Sequence, residues 1–186
     1  MKLNNFFKLV IAIAVSEAAG IIGSVFTISA IPTWYTGLVK PALNPPAWVF
    51  GPAWTTLYAL MGVSLFLVWK QHFNILENVR MLRIWKIGIA AFFIQLFLNA
   101  IWSIIFFGLQ SPGWALVDIA ALWFAIVWTI AVFYKISRPA AYLLIPYLLW
   151  FNSERPHWGL DLKSPIQFLM EKEPEVCNMW WRDTAY

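Results

Sequence analysis

Long apolar runs alternate with short polar connections along this chain, and the lengths of the runs decide its fold class. A helix needs roughly 20 mainly apolar residues to cross the hydrocarbon of a bilayer. Four segments reach that length: Leu9–Ala30, Ala47–Trp69, Ile87–Leu109 and Trp114–Tyr134. A fifth apolar run, Ala140–Phe151, extends only about 18 Å at about 1.5 Å per residue, against roughly 30 Å of hydrocarbon. Glu154, Arg155 and Pro156 follow where a buried helix would continue, and charge at that depth is costly. The pattern predicts an all-α, integral membrane five-helix bundle whose fifth helix is truncated or replaced. It divides the chain into a transmembrane domain, residues 1–151, and a charged C-terminal tail, residues 152–186, expected to be poorly ordered. The start, MKLNNFFKLVIAIAV, resembles a secretory signal. Its apolar stretch runs past a signal core without a small-x-small cleavage site, so a retained first helix is expected.

The connections add an orientation. Lys2 and Lys8, then Lys70, Arg80, Arg83 and Lys86, then Lys135 and Arg138 all fall on one side of the bundle. The other side has Lys40 and no basic residue in the tight Gln110–Gly113 turn. In a cytoplasmic membrane the positive-inside rule places the N-terminus in the cytoplasm. Composition agrees with the membrane class: 61% hydrophobic and 12% charged residues, about half the charge of a soluble domain. The net charge of +4 is spread over short loops, so no nucleic-acid partner is expected. Cys177 is the single cysteine, and His72 and His157 stand far apart without ligand-like neighbours. Neither a disulfide, a metal site nor a covalently held cofactor is expected, and no phosphate- or dinucleotide-binding motif occurs.

Polar groups inside apolar runs are the first candidates for function, because placing them there costs free energy. They are Glu17 in the first helix, Gln95 and Asn99 in the third, and Asp118 near the start of the fourth. Gln95 is expected to hydrogen-bond between helices, and Asp118 to be held structurally by the helix dipole. Glu17 is expected to be a packing residue, with a proton path as the alternative. Asn99 shares a wall with Trp102, so pocket and packing roles stand level. Gly20, Gly23 and Gly62 permit close backbone approach, and Ser24 and Thr27 can turn hydroxyls inward. Interfacial belts at the span ends account for Trp34, Trp48, Trp69, Trp85 and Trp114, but not for the deeper Trp54, Trp102, Trp123 and Trp128. Phe50, Trp54 and Tyr58 are spaced i, i+4, i+8, an aromatic stripe suited to bundle core or to a large, planar, apolar ligand.

The segments WYTGLVKPALNPPAWVFGPAWTTLYALMG, LNAIWSIIFFG, GWALVDIAALW and AAYLLIPYLLW, in that order, resemble the tryptophan-rich sensory protein family, which includes the mitochondrial translocator protein (the peripheral benzodiazepine receptor). The resemblance implies a five-helix bundle, commonly a homodimer in membrane lipid. Its implied ligand is a porphyrin or related tetrapyrrole, with sterols and benzodiazepine-type drugs in some members. It also implies a lid built from the loop stiffened by Pro41, Pro45 and Pro46. Matched by motif, the implied ligand-binding residues are Ser24, Thr27, Phe50, Trp54, Tyr58, Asn99, Trp102, Trp114, Val117 and Ala121. No acid–base pair or nucleophile arrangement is present, so no catalytic residue is assigned. Some members are linked to light-dependent porphyrin breakdown, for which Trp54 and Trp123 are the candidates; a proton-coupled exporter using Glu17 is a further alternative. After PYLLW the chain departs from the family, through a frameshift or a genuine extension, and the family's sterol segment is not transferable.

Overall fold

The computed structural model describes residues 4–34 and 47–154 of the chain. The proline-rich lid and the tail beyond Glu154 lie outside the described residues. Four long helices account for most of the described chain: α1 (Asn5–Ala30), α2 (Ala47–Gln71), α3 (Val79–Ser103) and α4 (Pro112–Ile136). Each is long and apolar enough to cross a membrane. A short 3-10 turn, His72–Ile75, follows α2, and a π-helical turn, Ile104–Gly108, closes α3. The fifth segment comes as two pieces, α5 (Arg138–Leu143) and α6 (Ile145–Glu154).

Local chemistry explains the boundaries. The Asn4 side chain accepts a hydrogen bond from the Phe6 N–H at 3.3 Å, and that of Asn78 accepts from the Met81 N–H at 3.0 Å. Both satisfy amides that a helix start leaves open. The Asn78 cap moves the start of α3 eight residues before the predicted Ile87, so Arg80, Arg83 and Lys86 extend the helix beyond its apolar run rather than forming a loop. Pro112 starts α4, where its missing N–H costs nothing. Pro146 explains the break at Leu144: it has no N–H for the Tyr142 carbonyl, and its ring crowds that carbonyl. With Leu144, the two pieces of the fifth segment extend about 25 Å at about 1.5 Å per residue. The segment is longer than its apolar run implied and still short of the other four.

The packing runs in a ring, α1 to α2 to the fifth segment to α4 to α3 and back to α1. Ser64 of α2 donates to the Ala140 carbonyl at 2.7 Å, and the Trp85 indole of α3 donates to the Val68 carbonyl of α2 at 2.9 Å. The interior holds Ser16, Ser64, Gln95, Asn99 and Thr129 among its apolar core, while Ile28, Phe97 and Phe124 point outward at 63–70% exposure. Such an arrangement is stable where lipid, not water, is the solvent: helices then associate through close packing and hydrogen bonds. Close packing is concentrated at glycines. A Cβ on Gly62 would lie 2.5 Å from the Ile13 Cα, and one on Gly23 would lie 2.8 Å from the Ser103 Oγ.

Gln95 departs from expectation. It is fully buried, yet neither its amide nitrogen nor its oxygen has a hydrogen-bond partner among the described residues. The side chain lies one turn from Asn99, which makes the interhelical bonds instead.

Candidate functional site

α1 and α2 touch tightly near Gly62 and separate toward the opposite end of the bundle. Between these stages stands Tyr58. A Cβ on Gly20 would lie 2.7 Å from the Tyr58 Cδ2, so the ring needs a glycine opposite it. Beyond it the helices enclose a cavity of about 460 Å³, within the roughly 300–1,000 Å³ range of small-molecule sites.

α1 from its midpoint onward supplies Glu17, Ile21, Ser24, Thr27 and Ile28, and the first half of α2 supplies Phe50, Trp54, Thr55 and Tyr58. α3 and its π turn add Asn99, Trp102, Ser103, Phe106 and Phe107, and α6 adds Trp150. The walls are mainly aromatic and tightly braced. Trp102 stacks on Phe106 at 4.9 Å and 10°, and Trp34 meets the edge of Phe106 at 5.2 Å. Trp54 lies 5.8 Å from the Tyr58 ring and 6.2 Å from that of Tyr147.

A three-residue relay fixes the polar side. The Tyr58 hydroxyl donates to the Asn99 Oδ1 at 2.5 Å, and the Asn99 Nδ2 donates to the Tyr147 hydroxyl. Asn99 is therefore both wall and packing residue, joining α2, α3 and α6. Three of the cavity's small hydroxyls bond to their own helices: Ser24 to the Ile21 carbonyl at 2.7 Å, Thr27 to Gly23 at 3.0 Å, and Thr55 to Gly51 at 3.0 Å. Their donors are spent, so they offer a ligand acceptor lone pairs.

Of the residues singled out from sequence, Ser24, Thr27, Phe50, Trp54, Tyr58, Asn99 and Trp102 come together around this cavity. Trp114, Val117 and Ala121 do not. α4 buries Ala115, Asp118, Ile119, Leu122 and Ala125. At about 100° per residue, Trp114, Val117 and Ala121 fall on its outward side, with Trp114 70% exposed. Trp123 packs on the core from α4 and stands apart from the cavity, whereas Trp54 is on its wall. Sequence reading missed Ser103, Phe106, Phe107 and Trp150 as wall residues. Asn99, Trp102, Ser103 and Phe106 follow i, i+3, i+4, i+7 spacing, which would have revealed two of them. Phe107 reaches the wall from the π turn, whose Leu109 N–H bonds the Ile104 carbonyl at 2.9 Å. Such turns recur at functional sites.

A helical membrane protein with a ligand-sized aromatic cavity between its helices is the class that this fold and site define. The chain belongs to the TspO/MBR family, whose sequence model matches residues 12–152. It is 47% identical over 146 residues to the tryptophan-rich protein TspO of Archaeoglobus fulgidus, covering 78% of this chain and 89% of that one. It is 41% identical to the human translocator protein over 129 residues, covering 69% and 73% of the two chains. The tryptophan-rich sensory protein of Cereibacter sphaeroides is 33% identical over 134 residues, covering 68% and 78%.

Proposed function

We infer that the chain is a membrane receptor or sensor that binds porphyrins and related tetrapyrroles in the cavity between α1, α2 and α3. The observation that supports this most is the wall itself. Phe50, Trp54, Trp102, Phe106 and Trp150 offer flat, polarizable faces, and Tyr58 and Asn99 beside them are braced in the Tyr58–Asn99–Tyr147 relay. A broad, planar, apolar ring with a few polar edges matches that distribution. The names of the relatives, translocator and sensory protein, fit a ligand-responsive role.

Titrating the purified protein with protoporphyrin in the dark, read by tryptophan fluorescence, tests the reading. Saturable quenching with a fixed stoichiometry supports it; quenching that rises linearly and matches that of unfolded protein overturns it. The same titration under illumination addresses the second reading, light-driven porphyrin breakdown, which Trp54's place on the wall favours. Turnover beyond one porphyrin per protein would establish that activity. The homodimer is tested by the mass of the protein in nanodiscs. The proposed cytoplasmic N-terminus predicts that Glu77→Cys and Gln110→Cys, each in a Cys177→Ser background, label from opposite sides of the membrane.

A further inference from the structure

The cavity has one feature that an aromatic ring-binding site does not use. Glu17 lies on its lining, at the midpoint of the 26-residue α1 and so near the centre of the membrane. Among the described lining residues it is the only carboxylate, and none of them is basic. Lys8, the basic residue on the same helix, is nine positions away, or about 13 Å along the axis at about 1.5 Å per residue. Among the described residues, no hydrogen-bond donor and no cation meets the Glu17 carboxyl. A carboxyl at that depth is costly unless something pairs with it.

The cavity is also open toward lipid. Ile21 and Ile28 line it and are nevertheless 64% and 70% exposed. Across from them, Gly51 and Thr55 of α2 line it and are exposed as well. A gap bordered by outward-facing apolar residues of two transmembrane helices admits a molecule sliding in from the bilayer. Ser24, Thr27 and Thr55 donate to their own helices and keep acceptor lone pairs for a ligand, and the Glu17 carboxyl is the strongest acceptor on the lining.

We propose that this cavity also takes single-chain amphiphiles with a basic amine head, which enter between α1 and α2 and place the amine on Glu17. The head group brings the proton-bearing cation that the carboxyl lacks, and the alkyl chain lies along Ile21, Ile28 and Phe50. An amine arriving neutral at a protonated carboxyl and an ammonium arriving at a carboxylate give the same pair, with the same number of protons. A charge-assisted bond in low dielectric is about twice as strong as a neutral one, so an alcohol of equal chain length binds more weakly. This inference does not rest on the tetrapyrrole reading.

The test uses the full chain in nanodiscs of neutral phosphatidylcholine. Three photoreactive dodecyl probes, with a diazirine at the tail end, carry an amine, an alcohol or a carboxylic acid. Saturable labelling of α1 and α2 by the amine, with an apparent affinity about tenfold above the alcohol's and the acid weakest, is expected from the charge-assisted bond. Glu17→Gln should bring amine labelling down to the level of the alcohol, while the size-exclusion peak and Tm stay those of the parent, which shows that the variant is folded. Equal labelling by amine and alcohol, or an unchanged preference in Glu17→Gln, overturns the proposal. Failure of protoporphyrin to bind while the amine preference persists would remove the tetrapyrrole reading alone.

Discussion

The two ends of the α1–α2 pair are built on opposite rules. Toward the basic end, Gly62 lets the α2 backbone approach so closely that a methyl group would strike the Ile13 Cα at 2.5 Å. Toward the other end, Gly51 has nothing within 4 Å of where its Cβ would be, and Trp54 and Phe50 border open space instead. The same two helices therefore supply a rigid seam and a binding site. The difference lies in which residue occupies the facing positions: glycine against backbone at one level, glycine against the Tyr58 ring at the next, and aromatic walls around a gap beyond. Closeness at one end holds the helices at a fixed angle, and that angle keeps the other end open.

Breaking the seam should have the largest effect. Gly62→Leu forces side-chain atoms into the Ile13 backbone, and overpacking of that kind costs about 3 kcal/mol. Loss of the monodisperse peak in size-exclusion chromatography, or a large fall in Tm, is the expected result. Asn99→Ala comes next. It leaves the Tyr58 and Tyr147 hydroxyls, now hydrogen-bonded to Asn99, without that partner, at about 2 kcal/mol. A lower Tm together with weaker protoporphyrin quenching is expected, with membrane insertion intact. Trp54→Ala acts at the open end: losing its stacking face should cost about 1 kcal/mol of affinity, roughly fivefold in Kd. Unchanged titration curves for Trp54→Ala and Asn99→Ala would return both residues to a packing role. Gly51→Ala should do least, within about 0.5 kcal/mol of the parent in stability, because its added methyl meets open space.

The bundle was legible in the sequence wherever hydrophobicity alone decides. The four long spans, the glycines at the close approaches and the stripe Phe50, Trp54, Tyr58 were all visible as spacing. What stayed hidden depends on neighbours in space. Trp114, Val117 and Ala121 have cavity-like chemistry but sit on a face set by how α4 packs on α3, which one helix's pattern does not determine. The same holds for Gln95 and Asn99: they share a helix face and a polar amide, yet only Asn99 has two tyrosines within reach. Phe107 depends on a π turn, for which IIFFG gives no local signal. Trp150 sits in an apolar run of half the usual length, which predicts no wall, whereas the helix continues through Glu154.

The closed ring of helices also sets an order of assembly. As the chain is synthesised, α1 and α2 can form their glycine seam as a hairpin, and α3 and α4 can pair as a second one. Neither hairpin can finish the ring, because the last segment lies between α2 and α4. Until Ala140 and Tyr147 emerge, the Ser64 hydroxyl lacks the carbonyl to which it donates and the Asn99 amide lacks its second tyrosine. Among the described residues the fifth segment is the keystone of the nascent bundle, and the ring waits on this short, proline-broken piece.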